Sequence, residues 1–424
     1  MKISSSNINW KKFKGEELNV LFNINIPLSK EIVKYVNDFE RLTGIKVRLE
    51  FLPENEYMQE IFLNFPYMEY DLIQVPMGHW GYICYKKGIL DSLDEFLYNK
   101  SLTDLEWYDL KDFYEQFLHV FIYPEYKNGQ IYAIPLTFEI YVLFYRKDIL
   151  NQKEIHVTNF TTLETWLDLL PNLYVKKNGL FIYPAVIRGG GSTDIIDPLN
   201  SMLLQYLGNI NYDYKKYIYF DSNNRLNFNN PIFKEVFCNW AKIMKYCPPN
   251  IVNYTWYDAY KTFRKGEAVT YWYDAHLFAP LFERFKLKGK VGYTIPLVNN
   301  NRNSAFWCWG LGILKKTSPE KKKAAWLLIE WLTSKEVYNK VAPETYTTTR
   351  TSIFNSKKFI KNMPQDLAFI LRDVFHRMKP SLVYYEDFDF IIFKIINKIH
   401  KIFRGENPDK VIDELQKEVK DIYF

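Results

Sequence analysis

The chain has 424 residues, 48% hydrophobic and 25% charged, enough length for two domains with their own cores and a balance typical of a soluble globular protein. Its net charge of +6 is scattered, with no basic stripe of the kind a nucleic-acid binder carries. No run of about 18 apolar residues offers a membrane span.

The aromatic fraction is the outlier: 18%, with 33 Tyr, 32 Phe and 11 Trp. Tyr and Trp suit half-wet surfaces and grooves, although a general compositional habit would give the same excess. The four cysteines, Cys84, Cys238, Cys247 and Cys308, form no C-x-x-C pair and have no His at zinc-finger spacing. Cys238 and Cys247 could pair, but both lie in a helix-like segment, so free buried thiols are expected, and no metal or cofactor. The N-terminus "MKISSSNINWKKFKGEELNVLF" lacks the apolar core of a signal peptide, so the chain is expected to be intracellular or to have lost a targeting segment upstream of this numbering.

In chain order, "ELNVLFNI" (Glu17–Ile24) reads as a buried strand. The next segment spaces Ile32, Val33, Val36, Phe39 and Leu42 as a helix, with Ser29 as cap and Gly44 as stop. "IKVRLEF" alternates strictly and predicts a second strand. A helix from about Glu56 then leads to the buried strand "YDLIQV" (Tyr70–Val75). This β-α-β-α-β order implies a parallel sheet with right-handed crossovers. Ligands of such sheets bind beyond the carboxyl ends of the strands. Those ends carry Asn25 after the first strand, and His79 and Trp80 after the third.

Residues 129–150 give two short apolar runs separated by Pro135 to Glu139, and "TTLETWLDLL" gives a capped helix. "LFIYPAVIRGGGSTD" is a strand ending in a glycine turn. After mixed helices, "TFRKGEAVTYWYDAHLF" reads as a helix end, a turn at Gly266, a strand, and a loop carrying Trp272 and Asp274. "KVGYTIPLV" and "AFWCWGLGI" are further strands, followed by the helix "SPEKKKAAWLLIEWLTS" and, from about Phe388, an amphipathic tail helix. No disordered linker interrupts the chain, which implies that it crosses between domains more than once.

Catalytic motifs are missing. "RGGGST" (Arg188–Thr193) lacks the Lys and spacing of a P-loop and reads as a plain turn rather than an anion cradle. No nucleophile elbow or H-E-x-x-H occurs. Glu139 and Asp274 are the only carboxylates to suggest a glycosidase pair, and nothing but their placement supports them. What remains is a set of flat rings and convergent polar groups: Trp80, Trp272, Trp309 and Tyr141 with Glu139, Asp274 and Arg350. This is the mixture that stacks on the C–H faces of sugars and bonds their hydroxyls in a small-molecule pocket. Burial in a domain core is the alternative for each Trp; Trp166, Trp240, Trp326 and Trp331, on helical apolar faces, are expected in cores.

The order of several motifs resembles the extracellular solute-binding proteins of ABC importers, in particular their carbohydrate-binding members similar to maltose-binding protein. The motifs are "FERLTGIKV", "YDLIQV" with "KKGILDSLDEFL", "GQIYAIPL" with "LFYRKDIL", "FRKGEAVTYW", "AAWLLIEWLTSKE" and "TTTRTSIF". In the last, Thr348 stands where the family has proline, a departure that puts the local turn in question. The resemblance implies an α/β fold of two lobes joined by hinge strands, with a ligand cleft between them that closes on binding. Lobe 1 is expected to hold residues 1–137 and 297–345, and lobe 2 residues 138–296 and 346–424. It also implies that Trp80, Trp272, Trp307, Trp309 and Asp274 face the ligand. The expected partners are a sugar and ABC permease subunits, with the chain itself a monomer outside the cell membrane. The aromatic abundance points to an oligosaccharide. A sensor of the same fold, cytoplasmic or membrane-linked, and a carbohydrate-active enzyme are the competing readings.

Overall fold

The computed structural model describes residues 6–125, 127–177, 179–208, 219–221, 223, 225–284, 286–381 and 388–422. The chain divides into two compact units, Met1–Glu139 with Cys308–Met363 and Ile140–Trp307 with Pro364–Phe424. Three crossings join them, as the missing linker implied.

The first unit begins with β1 (Glu17–Asn23), α1 (Pro27–Thr43), β2 (Lys46–Leu52), α2 (Glu54–Phe62), β3 (Leu72–Pro76) and α3 (Gly78–Lys86). β1 lies between β2 and β3 and is parallel to both. β2, at the edge, keeps the alternation its sequence shows, with Lys46, Arg48 and Glu50 exposed. α1 stops at Gly44, whose φ of 74° is one a glycine adopts without strain, and whose N–H bonds the Glu40 carbonyl. Its start differs from expectation. Pro27 opens the helix, where its fixed φ and missing N–H cost nothing, and Ser29 lies inside it, donating toward Gln74 rather than capping.

The strand Ala305–Ile313 runs antiparallel to β3, with Trp309 opposite Pro76 and Ile313 opposite Leu72. Its glycines answer to close approach rather than to turns. A Cβ on Gly310 would stand 2.9 Å from the Ala133 Cβ, and one on Gly312 2.9 Å from the Tyr132 carbonyl. Behind this sheet the helix Pro319–Leu332 packs on α1 and β1 and buries Trp326 and Trp331.

In the second unit, the strand Ala268–Ala275 is parallel to Leu180–Val186 and antiparallel to the later part of Ile134–Arg146, which also pairs with Val291–Thr294. The helix Pro231–Met244 packs against the tail helices Phe388–Phe403 and Pro408–Val419. Trp166 and Trp240 are fully buried here.

The crossings fall at other residues than the motif order suggested. The strand Ile134–Arg146 passes between units at Glu139/Ile140, and Ala305–Ile313 at Trp307/Cys308. Residues 346–363, expected in the second lobe, lie with the first unit. Hydrogen bonds fasten them there: Phe138 N–H to the Thr347 hydroxyl at 3.0 Å and Tyr114 N–H to the Thr349 carbonyl at 2.9 Å. All four cysteines are free. Among the described residues, no helix is long and apolar enough to cross a membrane.

Candidate functional site

In the first unit the carboxyl end of β3 meets the strand Ala305–Ile313 at Trp309. Beyond Pro76, Met77 donates its N–H to the Cys308 carbonyl at 3.1 Å, and α3 follows at once. This brings His79 and Trp80 beside the chain that carries Trp309. The His79 and Trp80 rings are 4.5 Å apart, and Phe62 backs Trp80 at 4.9 Å. Trp309 meets Tyr57 edge to face at 6.0 Å. The Tyr57 hydroxyl donates to the Gln74 carbonyl.

A net of amides surrounds this edge. Asn23 N–H bonds the Gln74 side-chain oxygen at 2.6 Å, Asn25 N–H the Asn23 oxygen at 2.9 Å, and Glu54 N–H the Asn25 oxygen at 2.7 Å. The Asn23 side-chain nitrogen is buried and has no acceptor among the described residues. An unsatisfied buried amide donor carries a free-energy cost of about 1–3 kcal/mol. Asn25, Trp80 and Glu139 are partly exposed; His79 and Trp309 are nearly closed off.

In the second unit the carboxyl edge is organised by Arg188, the residue after the strand Leu180–Val186 and Ile187. Its guanidinium bonds both Asp274 oxygens, at 2.6 and 2.9 Å, and the Asp194 carbonyl at 2.8 Å. It also lies over the Tyr141 ring at 5.6 Å. Burial works against the charge of Arg188, and the carboxylate of Asp274 more than restores it. The pair is closed to solvent: Asp274 and Tyr141 are fully buried.

The glycines after Arg188 form a turn, as read from the sequence, and leave an anion no room. Gly189 and Gly191 both donate to the Tyr254 carbonyl, and a Cβ on Gly189 would overlap the Ile251 carbonyl at 1.5 Å.

Several expected ligand groups serve the interior instead. Trp272 is fully buried, its indole N–H on the Thr270 hydroxyl at 2.7 Å and its ring against Trp166 and Tyr273. Next to it Tyr273 has a φ of 47°, and the pairing register shifts between Val142 and Phe144. This bulge breaks the alternation that would have aimed Trp272 and Asp274 alike. Arg350 lies in the first unit, fully buried, with donors on the carbonyls of Thr333, Tyr108 and Asp109 at 2.7, 2.8 and 3.1 Å. Its guanidinium also covers the Phe113 ring at 4.1 Å. It ties loops together and has no face left for a ligand. Trp307 is 7% exposed and is the last residue of its strand to belong to the second unit.

Sequence reasoning passed over Asn23, Tyr57 and Gln74 as site residues. Gln74 had a signal: an amide within the otherwise apolar run "LIQV". It also passed over Trp256. This residue is partly exposed, opens the helix that Thr255 caps, and stacks on Phe278 at 5.6 Å with the rings 13° from parallel.

The family model described as bacterial extracellular solute-binding protein matches residues 26–339. The erythritol/L-threitol-binding protein of Mycolicibacterium smegmatis is 25% identical over 353 residues, covering 78% of this chain and 69% of that one. Among solved structures, an ABC-transporter solute-binding protein of Agrobacterium radiobacter K84 in complex with ribitol has a TM-score of 0.77 at 20% identity, covering 97% of this chain and 100% of the other. One from Thermotoga lettingae bound with alpha-D-tagatose has a TM-score of 0.79 at 18% identity, covering 96% and 99%.

Proposed function

Because this chain belongs to the bacterial extracellular solute-binding proteins, we propose that it captures a neutral polyhydroxylated ligand, a sugar or sugar alcohol, outside the cell membrane. It then delivers that ligand, as a monomer, to the permease of an ABC importer. The observation that carries the ligand class is the edge of the first unit, where the partly exposed Trp80 and Asn25 stand with the buried amides of Asn23 and Gln74. Rings give flat apolar faces, and amides offer both donors and acceptors without net charge, the pairing that hydroxyl-rich ligands need. Relatives described as binding erythritol and L-threitol, ribitol and tagatose support the same class.

Within each unit the paired charges favour a neutral ligand. Arg188 is matched by Asp274, and Arg350 is fastened to backbone carbonyls. An oligosaccharide was expected from the aromatic abundance. Eight of the 11 tryptophans are nearly or fully buried, however, so abundance no longer argues for many stacking platforms. A ligand of one or two sugar units suits the remaining rings better. The commitment of Asp274 to Arg188 supports binding over turnover, since it occupies one carboxylate of the glycosidase pair.

Titration calorimetry with erythritol, ribitol, D-tagatose, maltose and a longer maltodextrin tests this reading. Saturable binding of at least one short ligand, without new products in the mixture, is the expected result. Binding of none, or hydrolysis of maltose, would overturn it.

A further inference from the structure

Of the 11 tryptophans, only Trp80, Trp107 and Trp256 are more than marginally exposed. Trp107 is accounted for: its N–H bonds Glu336 at 2.9 Å and its ring meets Trp10 at 5.4 Å. Trp80 lies at the carboxyl edge of the first unit. Trp256 lies at the corresponding edge of the second, because the helix Trp256–Lys265 runs back along the strand Ala268–Ala275 that follows it. The Tyr271 hydroxyl of that strand reaches the Trp256 carbonyl at 3.4 Å.

The Trp256 ring meets Tyr257 and Phe278, and its backbone N–H holds a carboxylate. Asp194 accepts from the Ser192 hydroxyl and from the backbone N–H of Trp256, and its side chain keeps about a fifth of its surface open. Arg188 holds the Asp194 carbonyl and so sets the loop. Phe278 supports the indole from behind as a parallel ring. A carboxylate with two donors already in place retains lone pairs for two more. The indole of the residue from whose N–H it accepts supplies stacking at small entropic cost.

We propose that Trp256 and Asp194 form the ligand-recognition pair of the second unit, Trp256 stacking on the carbon face of a polyhydroxylated ligand and Asp194 accepting from two neighbouring hydroxyls. The pair takes the role expected of Trp272 and Asp274, which the fold turns inward. It rests on the sugar or sugar-alcohol reading above and adds a specificity element to it: Asp194 selects ligands with a vicinal diol.

The test uses the full chain and the tightest ligand of ribitol, D-tagatose and maltose. Trp256→Ala is expected to weaken binding about tenfold or more, and Trp256→Phe to recover part of the loss. Asp194→Asn is expected to reduce the discrimination between that ligand and its monodeoxy analogues, a selectivity change that loosened packing would not produce. Urea melts run alongside identify any variant that fails to fold, and in that case the Trp256→Phe affinity and the Asp194→Asn selectivity decide. Native binding with unchanged affinity in Trp256→Phe and Trp256→Ala and unchanged selectivity in Asp194→Asn overturns the pair while leaving the sugar reading intact. Absence of native binding to all three ligands overturns both.

Discussion

At the scale of single residues, exposure separates tryptophans that composition cannot tell apart. Trp272 was expected to stack on ligand, yet it is sealed between Trp166, Tyr273 and Thr270. Trp272→Ala should therefore act on stability. Large-to-small changes of a buried aromatic cost about 3–5 kcal/mol, to be read as a lower urea midpoint with ligand affinity little changed in the remaining folded protein. The places of His79 and Trp80 just past β3 were legible, because strand order alone fixes where the carboxyl end of a parallel sheet lies. Trp272 was not, because a one-residue bulge leaves no mark in the alternation of "AVTYWYDA". Glu330 gives a second prediction. It sits fully buried on the helix Pro319–Leu332, and burial pushes its carboxyl well above the usual range. Folding then favours the protonated form, so its contribution is most favourable below the unfolded value of about 4.3 and is lost as pH rises toward the folded value. Glu330→Gln removes the ionisation. Urea melts should show the variant more stable than the native chain near about pH 8, with the difference shrinking below about pH 4.

At the scale of elements, β1 to β3 with the helices between them follow directly from periods of two and 3.6 residues and from the stop at Gly44. The unit boundaries were harder to read because two strands run straight through them. Nothing in "TFEIYV" or "FWCWGL" distinguishes the residues before a crossing from those after it. The glycine turn after the strand Leu180–Val186 shows the reverse case, in which a composition signal is explained by contact alone. Gly189 has no room for a side chain, since its Cβ would fall 1.5 Å from a backbone oxygen. Gly312 is less crowded, with the Val75 methyl at 2.7 Å and the Tyr132 carbonyl at 2.9 Å. A contact at 2.9 Å is relieved by a small shift, whereas one at 1.5 Å on a carbonyl that accepts from the Tyr254 N–H is not. Gly189→Ala should consequently cost more than the about 1–3 kcal/mol usual for overpacking, and Gly312→Ala should fall within it. Parallel chemical denaturation of the two variants decides the order.

At the scale of the whole molecule, three crossings mean that neither unit is a continuous stretch of sequence. The second unit depends on its tail. The helix Phe388–Phe403 buries Ile391, Ile392, Ile395 and Ile399 and packs on the helix Pro231–Met244. Phe388 meets Tyr219 at 5.4 Å. The following helix sends Gln416 to both Phe228 and Leu226 of the earlier segment, at 2.6 and 3.1 Å. Burying four such side chains at about 1.5–3 kcal/mol each matches a large share of the about 5–15 kcal/mol that holds a typical protein folded. Residues 140–307 expressed alone are therefore expected to lack a cooperative urea transition and near-ultraviolet aromatic dichroism. The same segment joined by a flexible linker to residues 364–424 should regain both, because the linker restores the tail at high effective concentration. A cooperative transition in the isolated segment would show that the tail helices are accessory to this core, and that the crossing at Met363/Pro364 serves something other than its folding.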